Sequence, residues 1–92
     1  EERAYVKLND HTYVVEAKTL LYDFYKILKI DDEVFEKVDG EVDTLAGLLL
    51  EIKGEFPVLH EKLDYKNYHF EILEMDARRI LKVKVLIEEE KE

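Results

Sequence analysis

The stretch Asp43-Thr44-Leu45-Ala46-Gly47-Leu48-Leu49-Leu50-Glu51-Ile52-Lys53-Gly54-Glu55-Phe56-Pro57 decides how the rest of the chain is read. Leu45, Leu48, Leu49 and Ile52 recur at i, i+3, i+4 and i+7, which predicts one apolar stripe on a helix. Asp43 suits the N-cap. Gly54 suits a left-handed residue closing the helix, and Pro57 follows where the helix cannot continue. Gly47 lies inside, where Gly costs about 1 kcal/mol relative to Ala. Such a residue points to close packing by a neighbour; the alternative is that the cost is simply tolerated.

Working towards the N-terminus, Leu20, Phe24, Ile27 and Leu28 fall at i, i+4, i+7 and i+8, with Leu21 beside them. They predict an amphipathic helix over Leu20–Lys29 with Thr19 as its cap and Asp23 at its positive end. Before it, Ala4–Leu8 and His11–Ala17 alternate and read as a β-hairpin around Asn9-Asp10. Val6 and Leu8 share one face and Tyr5 and Lys7 the other, with Tyr5 expected on the outer face; Tyr13, Val15 and Ala17 share a face of the second strand. Between the helices, Ile30 to Val42 is acidic and weakly patterned. Val34, Phe35 and Val38 fit a helical turn, and Asp39-Gly40 stops it.

Towards the C-terminus the pattern becomes a β-meander. Lys62–Tyr65 is a short strand, and Lys66-Asn67 a two-residue connection in which Asn accepts positive φ. Tyr68, Phe70 and Ile72 share one face, after which the apolar parity shifts to Leu73 and Met75. A β-bulge produces that shift, as does a strand whose ends are covered on opposite faces. Asp76-Ala77 turns the chain, and Leu81, Val83, Val85 and Ile87 share a face of the last strand. Residues 88–92 are nearly all charge and are expected to fray. The order is ββααβββ: an α+β domain spanning residues 1–92, with about five antiparallel strands and both helices packed on one face.

The chain has 92 residues, enough for one small core. Its 14 Lys+Arg against 23 Asp+Glu give a net charge of -9, which repels nucleic acid and anionic lipid. It contains no Cys and no Ser, which removes disulfides, thiolate metal sites and Ser or Cys nucleophiles. The longest apolar run, Ala46 to Leu50, is far short of the ~20 residues of a membrane helix, so no direct membrane insertion is expected. The chain begins at Glu1 without an initiator Met and reads as a piece of a longer protein or a processed one.

No catalytic set and no metal set emerges, and no cofactor-binding residues are identified. His11, His60 and His69 are far apart in sequence, and solvated histidine is the default reading. The acidic runs Asp31–Glu33 and Asp39–Asp43 do not match a calcium loop and read as solvated. Gly40, Gly47 and Gly54 form no phosphate loop. Arg78-Arg79 fits a phosphate or carboxylate, but pairing with Glu71, Glu74 or Asp76 is the simpler reading. Tyr5, Tyr13, Tyr22, Tyr25, Tyr65 and Tyr68 suit either an interface or the margins of a small core, the second being favoured.

Two runs carry a resemblance. Asp43 to Pro57 resembles the D-T-x-A-G…G-x-x-P segment of the CorC/HlyC transporter-associated domain. Tyr68-His69-Phe70-Glu71-Ile72-Leu73-Glu74-Met75-Asp76-Ala77-Arg78-Arg79-Ile80-Leu81-Lys82-Val83-Lys84-Val85 resembles its F-x-V-x-x-x-D-x-R-R-I-x-x-V-x-V ending. The acidic connection is longer than usual, and Ala77 stands where Gly is common. The resemblance implies an accessory domain following the membrane region and paired CBS modules of a magnesium/cobalt efflux or hemolysin-like protein. It implies a place at the cytoplasmic face of the cell membrane, contacts with those portions of the parent chain, and a homodimer as a further option. The long acidic connection and the cationic last strand look closest to the gliding-motility-associated branch. The family fold is similar to a subdomain of FAD-binding oxidases, so FAD or an adenine nucleotide enters by fold analogy only. The leading expectation is a non-enzymatic domain that acts by contact; a flavin or nucleotide binder is the alternative.

From the helical stripe, Leu49→Ala is expected to cost ~2–5 kcal/mol of stability. A urea titration showing a loss below about 1 kcal/mol would put the opposite face of the helix inside.

Overall fold

The computed structural model describes residues 5–38 and 40–88; Ala4, Asp39 and residues 89–92 of the expected strand, turn and frayed tail lie outside them. The elements are β1 (Tyr5–Asn9), β2 (Thr12–Glu16), α1 (Leu21–Leu28), α2 (Leu45–Lys53), β3 (Lys62–Tyr65), β4 (Tyr68–Met75) and β5 (Ile80–Ile87). One antiparallel sheet has the order β1-β2-β5-β4-β3. This is the α+β arrangement that the hydrophobic patterns predict.

The inner face of the sheet is continuous apolar surface. Val15, Val83 and Ile72 stand in register across three strands, and Tyr13, Val85, Phe70 and Leu63 form the next row. All seven are buried, under the stripe Leu21, Phe24, Tyr25 and Leu28 of α1 and Leu45, Leu48 and Leu49 of α2. The outer face is laddered with charge. Lys84, Glu71 and Lys62 lie in register, as do Glu16, Lys82 and Glu74, so opposite signs face each other on neighbouring strands.

The two helix entries are fastened to each other. Leu20 and Thr44 form an isolated antiparallel bridge. The Leu21 N–H donates to the Asp43 carbonyl, the Leu45 N–H to Thr19 and the Ala46 N–H to Ala17. This pairing corrects both expected caps. Thr19 caps nothing through its side chain; its Oγ1 is buried and has no hydrogen-bond partner among the described residues. Thr44, not Asp43, caps α2, accepting from the Gly47 N–H at 3.2 Å. The bridge also keeps Leu20 extended and exposed, so the α1 stripe starts one residue later, at Leu21. Gly54 closes α2 with φ 86°, as its position predicts. A Cβ on Gly47 would lie 3.1 Å from Val42 Cβ, so the close-packing reading of that glycine holds.

The first strand departs from its pattern. Tyr5 stands opposite the fully buried Val15 and packs on Tyr13, with ring centroids 6.4 Å apart, while Val6 and Leu8 are exposed. β1 is an edge strand, where a long aromatic ring reaches back over the core and a short aliphatic does not. In β4 the register shifts between Ile72 and Glu74, which selects the bulge over the two-faced strand. Opposite it, Ile80 is buried and Leu81 only half-buried. In the β3–β4 turn the left-handed residue is Lys66, with φ 55°, rather than Asn67. The Asn67 backbone and side chain are instead bonded to Glu88.

Phe35 is the largest surprise. The acidic connection folds as successive turns, with Val34 N–H to Asp31, Glu36 N–H to Glu33 and Val38 N–H to Phe35. It drives the fully buried Phe35 ring between α1 and the sheet. Phe35 stacks on Tyr25 at 5.9 Å and on Tyr65 at 5.2 Å, and meets Phe24, Tyr68 and Phe70 at a tilt. The Lys66 ammonium holds the same connection from outside, donating to the Val34 carbonyl at 3.1 Å. Phe35→Ala is expected to cost ~3–5 kcal/mol, with Phe35→Leu costing clearly less. Urea denaturation of both variants checks this, and near-wild-type stability of the alanine variant would contradict a buried ring.

Candidate functional site

A groove of about 550 Å³ opens at the end of the sheet where β2 finishes and β5 begins. Its floor is apolar. Ala46 and Leu50, one turn apart on α2, face it together with Leu81 and Phe56. The helix is apolar nearly all round; its core side is sealed, while Ala46 and Leu50 on the groove side are only half-buried. Phe56 is 42% exposed. It is presented by a braced loop: Pro57 is buried, Lys53 pairs with Glu61, and Glu61 Oε1 accepts from the Val58 N–H at 2.9 Å. The hydrogen bond from Lys53, then that from Val58, holds the Glu61 carboxyl below its usual range.

The rim inverts the charge of the chain. Lys18, Arg78, Arg79 and Lys82 line the groove against only Glu16 and Glu74. Lys18 lies 3.8 Å from Glu16 and Arg79 3.3 Å from Asp76, so two of the cations are paired. Arg78 and Lys82 make no ion pair among the described residues. Asp76 fixes the turn that carries the two arginines, accepting at 2.9 Å from both the Arg78 and the Arg79 N–H. Those contacts, the Arg78 N–H foremost, hold its carboxyl below the usual range. The arginine pair is thus half as the sequence suggests: Arg79 pairs internally and Arg78 does not.

His69 sits on the outer face between two carboxylates. Its Nδ1 is 2.6 Å from Asp64 Oδ1 and its Nε2 2.7 Å from Glu88 Oε1. Asp64, then Glu88, raises its pKa above the ordinary 6.5. The histidine is therefore pinned at both nitrogens rather than merely solvated. No group of three or more metal-ligating side chains gathers among the described residues. Tyr13, Tyr25 and Tyr68 are buried and Tyr65 half-buried, which favours core margins over an interface; Tyr22 is exposed. The sequence carries the parts of the groove, the leucines around α2 and the basic start of β5, but no local pattern that joins them.

The fold defines a small α+β domain of two helices on a five-stranded antiparallel sheet. Residues 6–89 match the family model of the transporter associated domain, CorC_HlyC, and the chain belongs to that family. It is 35% identical over 83 residues to the magnesium and cobalt efflux protein CorC of Escherichia coli (strain K12), covering 88% of this chain and 26% of that protein. It is 31% identical over 87 residues to hemolysin C of Brachyspira hyodysenteriae, covering 92% of this chain and 31% of that protein. The chain spans less than a third of either relative's length. Among solved structures, the transporter associated domain of a CBS domain protein from Porphyromonas gingivalis superposes with a TM-score of 0.87 at 37% identity. That match covers 95% of this chain and all of the other, a domain of this size standing by itself.

The pinned histidine gives a pH dependence. A raised folded pKa means the imidazolium stabilises the fold fully below the ordinary value and loses that contribution as pH rises through the folded pKa. The stability difference between the wild type and His69→Gln is expected to be largest near pH 5.5 and to shrink by about pH 9. Urea titrations across that range measure it; a difference independent of pH would contradict the carboxylate clamp.

Proposed function

We propose that residues 1–92 form a single non-catalytic accessory domain of a magnesium/cobalt efflux or hemolysin-like membrane protein, placed at the cytoplasmic face of the membrane. In this reading the domain docks on the membrane or CBS portions of its own parent chain, with self-association as a further contact, and biases transport between two states. The carrying observation is the groove, whose apolar floor lies open and whose rim holds two cations that make no ion pair among the described residues. The names of the E. coli and B. hyodysenteriae relatives support the transport context. Among the described residues no helix is long and apolar enough to cross a membrane, so any membrane-spanning work falls to other parts of such a parent.

A contact domain regulates by binding one conformation of its neighbour better than another. A differential of ~1.4 kcal/mol shifts the ratio of the two states about tenfold, which needs only a modest surface. The flavin or nucleotide alternative rests on fold analogy, and the local geometry gives it little. The first N–H groups of α2, which would cradle a phosphate, already donate to Thr19, Ala17 and Thr44.

Deleting residues 1–92 from the parent is expected to alter ion flux or its regulation while leaving the membrane portion inserted. Flux assays in vesicles, with blue-native gels for assembly, test this. Unchanged flux, regulation and assembly would remove the regulatory reading.

A further inference from the structure

We propose that the groove receives a peptide segment of the parent protein in which apolar side chains are flanked by carboxylates. This inference rests on the docking reading above and names the surface used and the chemistry it grips.

The floor requires an apolar occupant. A helix that is apolar on nearly every side belongs in an interior. α2 has covered only the side bearing Leu45, Leu48 and Leu49, and leaves Ala46 and Leu50 beside the exposed Phe56 ring. These groups lie on a helix, a braced loop and the start of a strand, so the surface is preformed. An occupant therefore loses little to reordering the site.

The rim requires negative charge. A chain with 14 cations and 23 acids concentrates four cations against two acids at this groove. Lys82 stands in register between Glu16 and Glu74 and yet ion-pairs with neither, and among the described residues no carboxylate pairs with Arg78. Basic and plain apolar segments are thereby disfavoured, and the rim cations offset here the long-range repulsion by the acidic surface. Side-chain carboxylates suit the rim better than a nucleotide phosphate does. The Arg78 and Arg79 N–H groups are spent on Asp76, and the N-terminal N–H groups of α2 are spent on Thr19, Ala17 and Thr44. What remains is two flexible cationic side chains above an apolar floor. That pattern fits a segment with carboxylates beside Leu- or Phe-like residues.

The test uses residues 1–92 by themselves, since the matched P. gingivalis domain stands alone as a folded unit. Fluorescein-labelled overlapping peptides covering the parent chain outside these residues are titrated by anisotropy. Binding is expected only for peptides carrying Asp or Glu beside large apolar residues, and it is expected to weaken as salt rises. The double variant Arg78→Ala/Lys82→Ala is expected to bind at least about tenfold more weakly. Lys29→Ala/Lys62→Ala, which removes the same charge away from the groove, is expected to bind normally. Thermal melts establish that both variants are folded. Peptides bound without carboxylates, no peptide bound at all, or equal losses in the two double variants would each overturn the proposal. A parallel pull-down of detergent-solubilised parent lacking residues 1–92 separates the two readings. If the wild-type domain and the Arg78/Lys82 variant are captured equally, docking stands and the groove is the wrong surface. If the wild-type domain is not captured, the docking reading itself falls.

Discussion

The fold depends on one aromatic ring supplied by the least structured part of the chain. Phe35 comes from an acidic connection with no regular helix, yet it is fully buried and touches rings from α1, β3 and β4. Without that ring, the space between α1 and the β3–β4 end of the sheet would be empty. A domain of this size cannot tolerate such a void, because each lost contact is a large part of a small core. The connection is acidic along its exposed residues, while Ile30, Val34, Val38 and Val42 pack partly buried against the core beside Phe35.

This division of labour leaves the other end of the molecule open. At the Phe35 end the helices are sealed against the sheet by aromatic rings. At the opposite end the paired helix entries, Leu20 with Thr44, hold α2 over the start of β5 and leave its Ala46–Leu50 flank uncovered. The same hydrogen bonds that fasten the helices consume the donors that would otherwise bind phosphate. Architecture thus turns a conventional anion site into an apolar groove whose charge comes only from side chains. The outer face carries ladders of alternating Lys and Glu beside the exposed Val6, Leu8 and Leu86.

The relatives fit that picture without adding chemistry to it. The family match and the P. gingivalis structure establish the domain type. The E. coli and B. hyodysenteriae proteins are several times longer than this chain, so the domain is a minor part of each.

The sequence alone determined every element, their order and the buried stripe of α2, because these follow from local periodicity and from Gly54, whose backbone freedom a helix end demands. The two motif runs were legible as well, and with them the family. Tertiary structure decided which way the edge strand faces. The alternation suggests Tyr5 on the outer face, and the structure reverses it, with Tyr5 opposite Val15 and packed on Tyr13 while Val6 is exposed. It also decided the helix caps, since the backbone of one helix entry satisfies the other and makes the Thr19 hydroxyl redundant. The groove and the clamped His69 were illegible for the same reason. Arg78, Lys82 and Leu50, or His69, Asp64 and Glu88, are brought together by strand register and helix docking, and no local pattern records which distant side chains will share a surface.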